Sequence, residues 1–381
     1  MPKLKKAIYR NILSKLKFII SGGGTGGHIF PAIAIAGALK AVCPDADFLF
    51  VGAKGRMEME KVPAAGYPIV GLGISGFQRK LCWSNVLFPF KVIFSLLKAR
   101  KIVQSFQPDA AIGTGGYASG PLLEMATRKG VPTLIQEQNS FPGITNKILG
   151  KKVNKICVAY EGMDRYFPQE KIILTGNPVR KDISFSNVNR MDAVHFFGLE
   201  PGKKILLVIG GSLGARTINE SIEMHLDEMV SKEVQLIWQT GKSYFTTAQK
   251  SAEKFASVGV KVFEFISRMD HAYAAADIVV SRAGAISLSE LAIAGKASIL
   301  VPSPNVAEDH QTKNALALIK NEAAVMVSDK DSRGQLWNEI KLLMSDDSKQ
   351  KKLASNIKKS AFPDAAEKIA LQILEMIKTR K

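Results

Sequence analysis

Short, nearly continuous apolar runs recur along the chain, and stretches with helical spacing of apolar positions separate most of them. In the first half the runs are 17–21 (KFIIS), 48–52 (FLFVG), 110–115 (AAIGTG), 132–136 (PTLIQ), 155–160 (KICVAY) and 171–176 (KIILTG). In the second half they are 204–211 (KILLVIGG), 234–241 (VQLIWQTG), 261–266 (KVFEFI), 276–282 (ADIVVSR) and 297–302 (ASILVP). Runs of this length without polar alternation suit strands buried on both faces. Strands alternating with helices predict an α/β protein whose parallel sheets carry helices on both sides.

The rhythm starts twice. KFIISGGGTGGH opens one series and ILLVIGGSLGAR (205–216) opens another, each as strand, glycine turn and helix. Two Rossmann-like halves are therefore expected, with the join near 174–182, where Pro178 breaks the pattern. A length of 381 residues agrees with two domains. Polar and amphipathic helices are expected from 346 onward.

Charge narrows the class of partner. The chain is 46% apolar, as a globular protein should be, but its formal net charge is +18. Such a balance expects nucleic acid, an anionic membrane surface or a phosphate-rich substrate. The first 17 residues hold six lysines and arginines and no apolar segment of the kind a secretory signal needs. Leu4, Ile8, Ile12 and Leu16 recur every four residues there, as in an exposed leading helix, a frayed arm or a membrane-surface helix.

No uncharged apolar run is long enough to cross a bilayer. The nearest, 81–101, is interrupted by Pro89 and Lys91 and flanked by Arg79, Lys80, Lys98, Arg100 and Lys101. It reads either as a core helix with a cationic face or as an apolar surface lying in a membrane interface. Cys43, Cys82 and Cys157 are odd in number and far apart, with no CxxC. That argues against a disulfide framework or a zinc knuckle and for a reducing cytoplasm. The five histidines show no metal-ligand spacing.

The glycine turns carry the chemistry. Gly22, Gly24 and Gly27 satisfy G-x-G-x-x-G, which lets backbone approach an oxygen-rich ligand at a helix start, and Pro31 suits the first helical turn. A dinucleotide site would add an acid at the end of the second strand. FVGAKG has none there, which weighs against NAD and less against NADP. His28 follows the turn directly, where it is either structural or a general base. GTGGYASGP (113–121) forms a second glycine loop after a neighbouring strand, and two such loops together suit a diphosphate. In SRAGAISLSE (281–290), Ser287 and Glu290 fit a capping box, or Glu290 receives sugar hydroxyls. Residues 302–315 form a polar loop feeding a helix, also after a strand. Asp45-Ala46-Asp47 matches a metal-binding D-x-D, but a surface turn accounts for it.

Taken in order, GGGTGGHIFPA, GTGGYASGP, QEQN, TGNPVR, GGSLGAR, SRAGAISLSE and EDHQTKNA resemble the bacterial MurG family of N-acetylglucosaminyltransferases, which convert lipid I to lipid II in peptidoglycan synthesis. The resemblance runs from about Lys17 to Ala315. It implies a GT-B fold, two Rossmann-like domains facing across a cleft. The implied domains are a basic arm at 1–16, an acceptor and membrane-binding domain at 17–179 completed by a helix at 360–381, and a UDP-N-acetylglucosamine domain at 180–359.

By the same resemblance, Thr25, Gly26, Gly27, Asn139 and Gln311 lie at the donor sugar, and Arg180 and Ser212 contact the nucleotide diphosphate. Ile266 reads uracil through its backbone. Ala285, Ile286, Ser287, Leu288, Ser289 and Glu290 surround the α-phosphate and ribose, with Glu290 on the ribose hydroxyls. Gly115, Gly116 and Tyr117 belong to the acceptor loop. His28 is the expected base and Glu137 the second choice. Phe77, Leu81, Trp83, Leu87 and Phe88 form the expected membrane patch.

Two positions depart from the family pattern: Gln136, often His, and Thr312, in DHQT for a common DRQQ. No cofactor and no metal are expected. The expected partners are UDP-N-acetylglucosamine, lipid I, an anionic membrane and proteins of wall synthesis and division, at the cytoplasmic face of the plasma membrane. Nucleic acid is not among them, because no RNA-binding motif appears. An NADP-dependent oxidoreductase, a non-catalytic membrane or nucleic-acid binder, and another UDP-sugar transferase acting on a lipid stand as alternatives.

Overall fold

The computed structural model describes residues 15–74, 88–184, 186–211, 214–306 and 309–380. The chain divides into two compact units, one of Met1–Arg180 with Asp364–Lys381 and one of Lys181–Pro363.

Among the described residues the first unit carries a seven-stranded sheet. Its strands are β1 (Lys17–Gly22), β2 (Asp47–Ala53), β3 (Ile69–Leu72), β4 (Ala110–Gly115), β5 (Thr133–Glu137), β6 (Lys155–Val158) and β7 (Ile172–Leu174). Their order is β3-β2-β1-β4-β5-β6-β7, and every pairing is parallel. The pleat explains the unbroken apolar runs. Phe18, Ile20, Phe50, Ile112 and Leu134 enter one buried cluster, while Ile19, Val51, Ala111 and Ile135 enter another on the opposite face.

The first cluster is completed by the helix Ala365–Lys378. Ile369, Ile373 and Ile377 recur every four residues on its buried face. Each such side chain contributes about 1.5–3 kcal/mol by leaving water. Lys155 Nζ donates to Gln372 Oε1 at 2.5 Å from the sheet side.

The second unit has β8 (Ile205–Ile209), β9 (Gln235–Gln239), β10 (Val260–Phe263), β11 (Ile278–Ser281), β12 (Ala297–Leu300) and β13 (Val325–Met326). Their order, β10-β9-β8-β11-β12-β13, is again parallel throughout. Leu206, Val208, Leu236, Trp238, Ile278, Val280 and Ile299 line one buried face. Both units are thus Rossmann-like, with the glycine turn leaving a central strand.

Two edge strands escape the apolar pattern. β3 is only four residues long and lies between Pro68 and Gly73, and β13 is a two-residue strand. Both are short, and Gly71 interrupts β3, so neither leaves a run of strand length in sequence.

Of the basic arm, residues 1–14 lie outside the described residues. Lys15 Nζ lies 3.0 Å from Asp47 Oδ1, so one acid of the D-x-D pair anchors the start of β2 in an ion pair. Cys43 and Cys157 are buried free thiols, and burial pushes Cys157 up to about 12. Cys82 lies outside the described residues. Among the described residues no helix is long and apolar enough to cross a membrane.

Candidate active site

In the first unit the chemistry gathers at the C-terminal ends of β1, β4 and β5. The register between β1 and β4 slips there. Ser21 pairs with Gly113 and Gly22 with Gly115, which leaves Thr114 as an extra residue on β4. A bulge of this kind re-aims a side chain. Thr114 Oγ1 donates to the His28 carbonyl at 2.7 Å, and Gly23 N donates to Gly115 O at 3.3 Å. The two glycine loops are therefore bonded to each other.

Glycine is required at the contact. A Cβ on Gly115, which has φ +109°, would lie 2.8 Å from the His28 ring, and one on Gly116, φ +89°, would run into the Gly23 carbonyl. His28 lies in the first turn of the helix Gly26–Val42, where its N–H donates to Thr25 O at 3.1 Å. Thr25 is the N-cap, and its hydroxyl makes no capping bond. Pro31 is the sixth residue of this helix rather than part of its first turn. It therefore removes the N–H that would reach Gly27 O. Thr25 and Gly27 are exposed, while Gly26 and His28 are half-buried.

A carboxylate that the sequence reading overlooked supports the loop. Glu58, 1% exposed, accepts from Gly24 N and from Ala53 N, each at 2.9 Å. A Cβ on Gly23 or Gly52 would collide with it. The missing acid of a dinucleotide site is thus present nearby, six residues past Gly52. It faces backbone N–H groups instead of a ribose, and its charge sits beside the loop that a pyrophosphate would need. Gly23 and Gly24 thus use their N–H groups within the protein, which leaves fewer of this turn's donors for a diphosphate.

Glu137, also 1% exposed, closes β5. Its Oε1 accepts from Asn139 N at 3.0 Å and Asn139 Nδ2 at 3.2 Å. Its Oε2 accepts from Asn146 Nδ2 at 2.9 Å and Gly143 N at 3.3 Å. Four donors on one carboxylate make it the organiser of the loop 138–146. Gln136 is fully buried and bonded to Asn177, and Tyr117 is 46% exposed.

In the second unit, Gly210, Gly211 and Gly214 form the turn after β8, and Ser212 lies outside the described residues. Ile266 is buried, and its N–H donates to Gln239 Oε1 at 2.9 Å. The helix Ala285–Ala294 begins after Gly284, so Ser287 lies inside it and no Ser287 capping box forms. Ala285 and Leu288 are buried, and Ile286 and Ser287 are half-buried. Ser289 Oγ donates back to Ala285 O at 3.0 Å. Glu290 accepts from Tyr273 Oη at 2.9 Å. Gln311 Oε1 accepts from Ser303 N at 2.8 Å, and Thr312 bonds Asp309, which has φ +52°.

Arg282 is a second residue missed in sequence. Its Nη1 donates to Val301 O at 3.0 Å and lies 2.5 Å from Asp329 Oδ1, and its Nη2 donates to Thr217 Oγ1 at 3.1 Å. One side chain thereby ties the ends of β11 and β12 to the helix Arg216–Glu223. Arg180 is half-buried at the edge of the first unit's long segment.

The helix Phe88–Phe106 presents Phe90, Ile93, Phe94 and Leu97 to solvent, at 58%, 54%, 68% and 51% exposure. Their spacing puts them on one face, opposite buried Ser95, Ala99 and Val103. Phe88 is half-buried. Phe77, Leu81, Trp83 and Leu87 lie outside the described residues. Among the described residues, no three His, Cys, Asp or Glu side chains gather as a metal site.

Two Rossmann-like units with glycine-turn helix starts give the fold, and comparison with known proteins specifies the family. The glycosyltransferase family 28 N-terminal domain matches residues 18–158, and its C-terminal domain matches 205–369. The chain belongs to glycosyltransferase family 28. It is 54% identical to a protein of Parabacteroides distasonis, over 96% of this chain and 99% of that one. It is 57% identical to one of Cytophaga hutchinsonii, over 95% and 97%. Both relatives are named UDP-N-acetylglucosamine--N-acetylmuramyl-(pentapeptide) pyrophosphoryl-undecaprenol N-acetylglucosamine transferase. The crystal structure of Acinetobacter baumannii MurG superposes with a TM-score of 0.74 at 28% identity, covering 95% of this chain and 100% of that one.

Proposed function

We infer that this protein transfers N-acetylglucosamine from UDP-N-acetylglucosamine to the muramyl C4 hydroxyl of undecaprenyl-pyrophosphoryl-N-acetylmuramyl-pentapeptide. Near-full-length identity to relatives of that name supports the substrates. One geometric observation carries the mechanism. The His28 imidazole is clamped against Gly115 at the meeting of two glycine loops, with its backbone carbonyl bonded by Thr114.

The acceptor O4 attacks C1 of the sugar from the face opposite the diphosphate. The O4–C1 bond forms, the C1–O bond breaks, and its electron pair leaves with UDP, which inverts the anomeric centre. His28 Nε2 takes the O4 proton. Glu137 is less suited, since four donors already hold its carboxylate. The first turn of Ala285–Ala294, the Ser212 loop and Arg180 would neutralise the leaving charge. A single charge-assisted contact there is worth about 1.5–3 kcal/mol. Thr25, Gly26, Gly27, Asn139 and Gln311 would hold the donor sugar, Ile266 the uracil and Glu290 the ribose, while Gly115, Gly116 and Tyr117 would meet the acceptor.

Purified protein given UDP-N-acetylglucosamine and a lipid I analogue should release UDP, and should do so more slowly with UDP-glucose. No release with the N-acetylglucosamine donor would sink the assignment.

The exposed face of Phe88–Phe106 suits a membrane surface on the cytoplasmic side, where a polyprenyl-anchored acceptor resides. Arg100 and Lys101 on the same helix are exposed, and the chain's charge of +18 favours anionic lipid. Replacing Phe90, Ile93, Phe94 and Leu97 by serine should weaken binding to anionic vesicles by about ten-fold or more per inserted side chain. Soluble-analogue turnover should persist. Unchanged vesicle binding would remove this face from the membrane reading.

A further inference from the structure

A chain of three buried side-chain amides ends on the His28 ring. Gln138, Gln136 and Asn177 are 1%, 0% and 2% exposed. Asn177 Nδ2 donates to the backbone carbonyl of Gln138 at 3.1 Å. Gln136 Nε2 donates to the carbonyl of Glu137 at 3.2 Å and to Asn177 Oδ1 at 2.9 Å. Gln138 Nε2 donates to the carbonyl of Thr114 at 2.7 Å, to that of Gln136 at 3.1 Å, and to Gln136 Oε1. Gln138 Oε1 then lies 2.8 Å from His28 Nδ1.

Backbone carbonyls can only accept. Each of the three amides has its NH₂ against such a carbonyl, so none can be flipped without setting oxygen against oxygen. The direction of the whole chain is therefore fixed, and it delivers an acceptor, Gln138 Oε1, to His28. The imidazole must answer with a donor at Nδ1.

We propose that Gln138, held by Gln136 and Asn177, is a positioning residue that locks neutral His28 as the Nδ1–H tautomer and so leaves the Nε2 lone pair for the acceptor hydroxyl. The proposal rests on the reading of His28 as base and adds what makes it competent. Free histidine in water favours the opposite tautomer, with its proton on Nε2, which could not accept. Catalytic histidines commonly meet this need with a carboxylate at Nδ1. An amide fixes the same tautomer without adding negative charge where a diphosphate-linked acceptor would approach, and where Glu58 already carries one. Gly115 is part of the device, because a side chain there would push the ring off Gln138.

The full-length protein, labelled with ¹⁵N-histidine, tests this without substrate. The His28 resonances, assigned by their loss in His28→Gln, should show a protonated-type Nδ1 and an unprotonated-type Nε2. In Gln138→Leu the ring should move toward Nε2–H, kcat should fall about ten- to a hundred-fold, and KM for UDP-N-acetylglucosamine should hold. A wild-type spectrum showing Nε2–H overturns the proposal, and so does a Gln138→Leu spectrum that keeps Nδ1–H. If Gln138→Leu does not fold, the wild-type spectrum still decides. Near-normal kcat in His28→Ala would instead refute His28 as base, whatever the tautomer.

Discussion

His28→Ala is expected to lower kcat by roughly a hundred- to ten-thousand-fold, the usual worth of a positioned general base. KM for UDP-N-acetylglucosamine should change little, because the side chain acts on the acceptor proton. Stability should also change little, since the ring is half-buried and its side-chain hydrogen bond is the one with Gln138. Single-turnover measurement of UDP release reads this directly. Glu137→Gln is the informative contrast. It disturbs a carboxylate that accepts four hydrogen bonds, so its effect should appear first in thermal unfolding. A mutant of Glu137 that unfolds normally but does not turn over would reverse the two roles.

Glu58→Leu should strongly destabilise the glycine loop that this side chain supports. Both N–H groups that the carboxylate accepts from would lose their partner, at about 1–3 kcal/mol each. Removing a buried charge recovers part of that cost, so the net loss should sit in the lower half of the sum. At about 2–4 °C per kcal/mol for a unit of this size, the melting temperature should drop by roughly 4–16 °C. Glu58→Gln keeps one acceptor and should show about half the effect. Activity should fall in both, because Gly24 fixes the path into the helix that carries His28. Calorimetry showing wild-type melting in Glu58→Leu would mean that the loop finds other acceptors.

The parts legible in sequence were those written in local pattern. Strands such as Phe18–Ile20 and Leu206–Val208 are buried on both faces, so every residue is apolar and the run stands out. The glycine turns are legible for a related reason: no other residue fits beside His28 or against Gly23. β3 and β13 were not legible, since strands of four and two residues, the first interrupted by Gly71, are too short to leave a run. Ser287 and Glu290 have capping-box spacing, yet the helix starts at Ala285 and Glu290 pairs with Tyr273 instead. Glu58 belongs to a helix after β2, and only the folded loop shows which N–H groups it meets. The amides on His28 are farther still, with Gln138 110 positions away in sequence. Motif spacing is silent about partners that separate strands bring together.

The helix Ala365–Lys378 has a consequence for how the molecule is made. It supplies part of the core of the first unit but is synthesised after the whole second unit. On the ribosome, the face holding Ile29, Ile35 and Leu39 must wait without that wall while Lys181–Pro363 emerges and folds. A premature stop at residue 364 would leave the second unit's sequence intact, and its damage would fall on the N-terminal half, the part translated first. Chaperone dependence, if the cell provides it, should therefore track the first unit and end when the last turns of this helix are released.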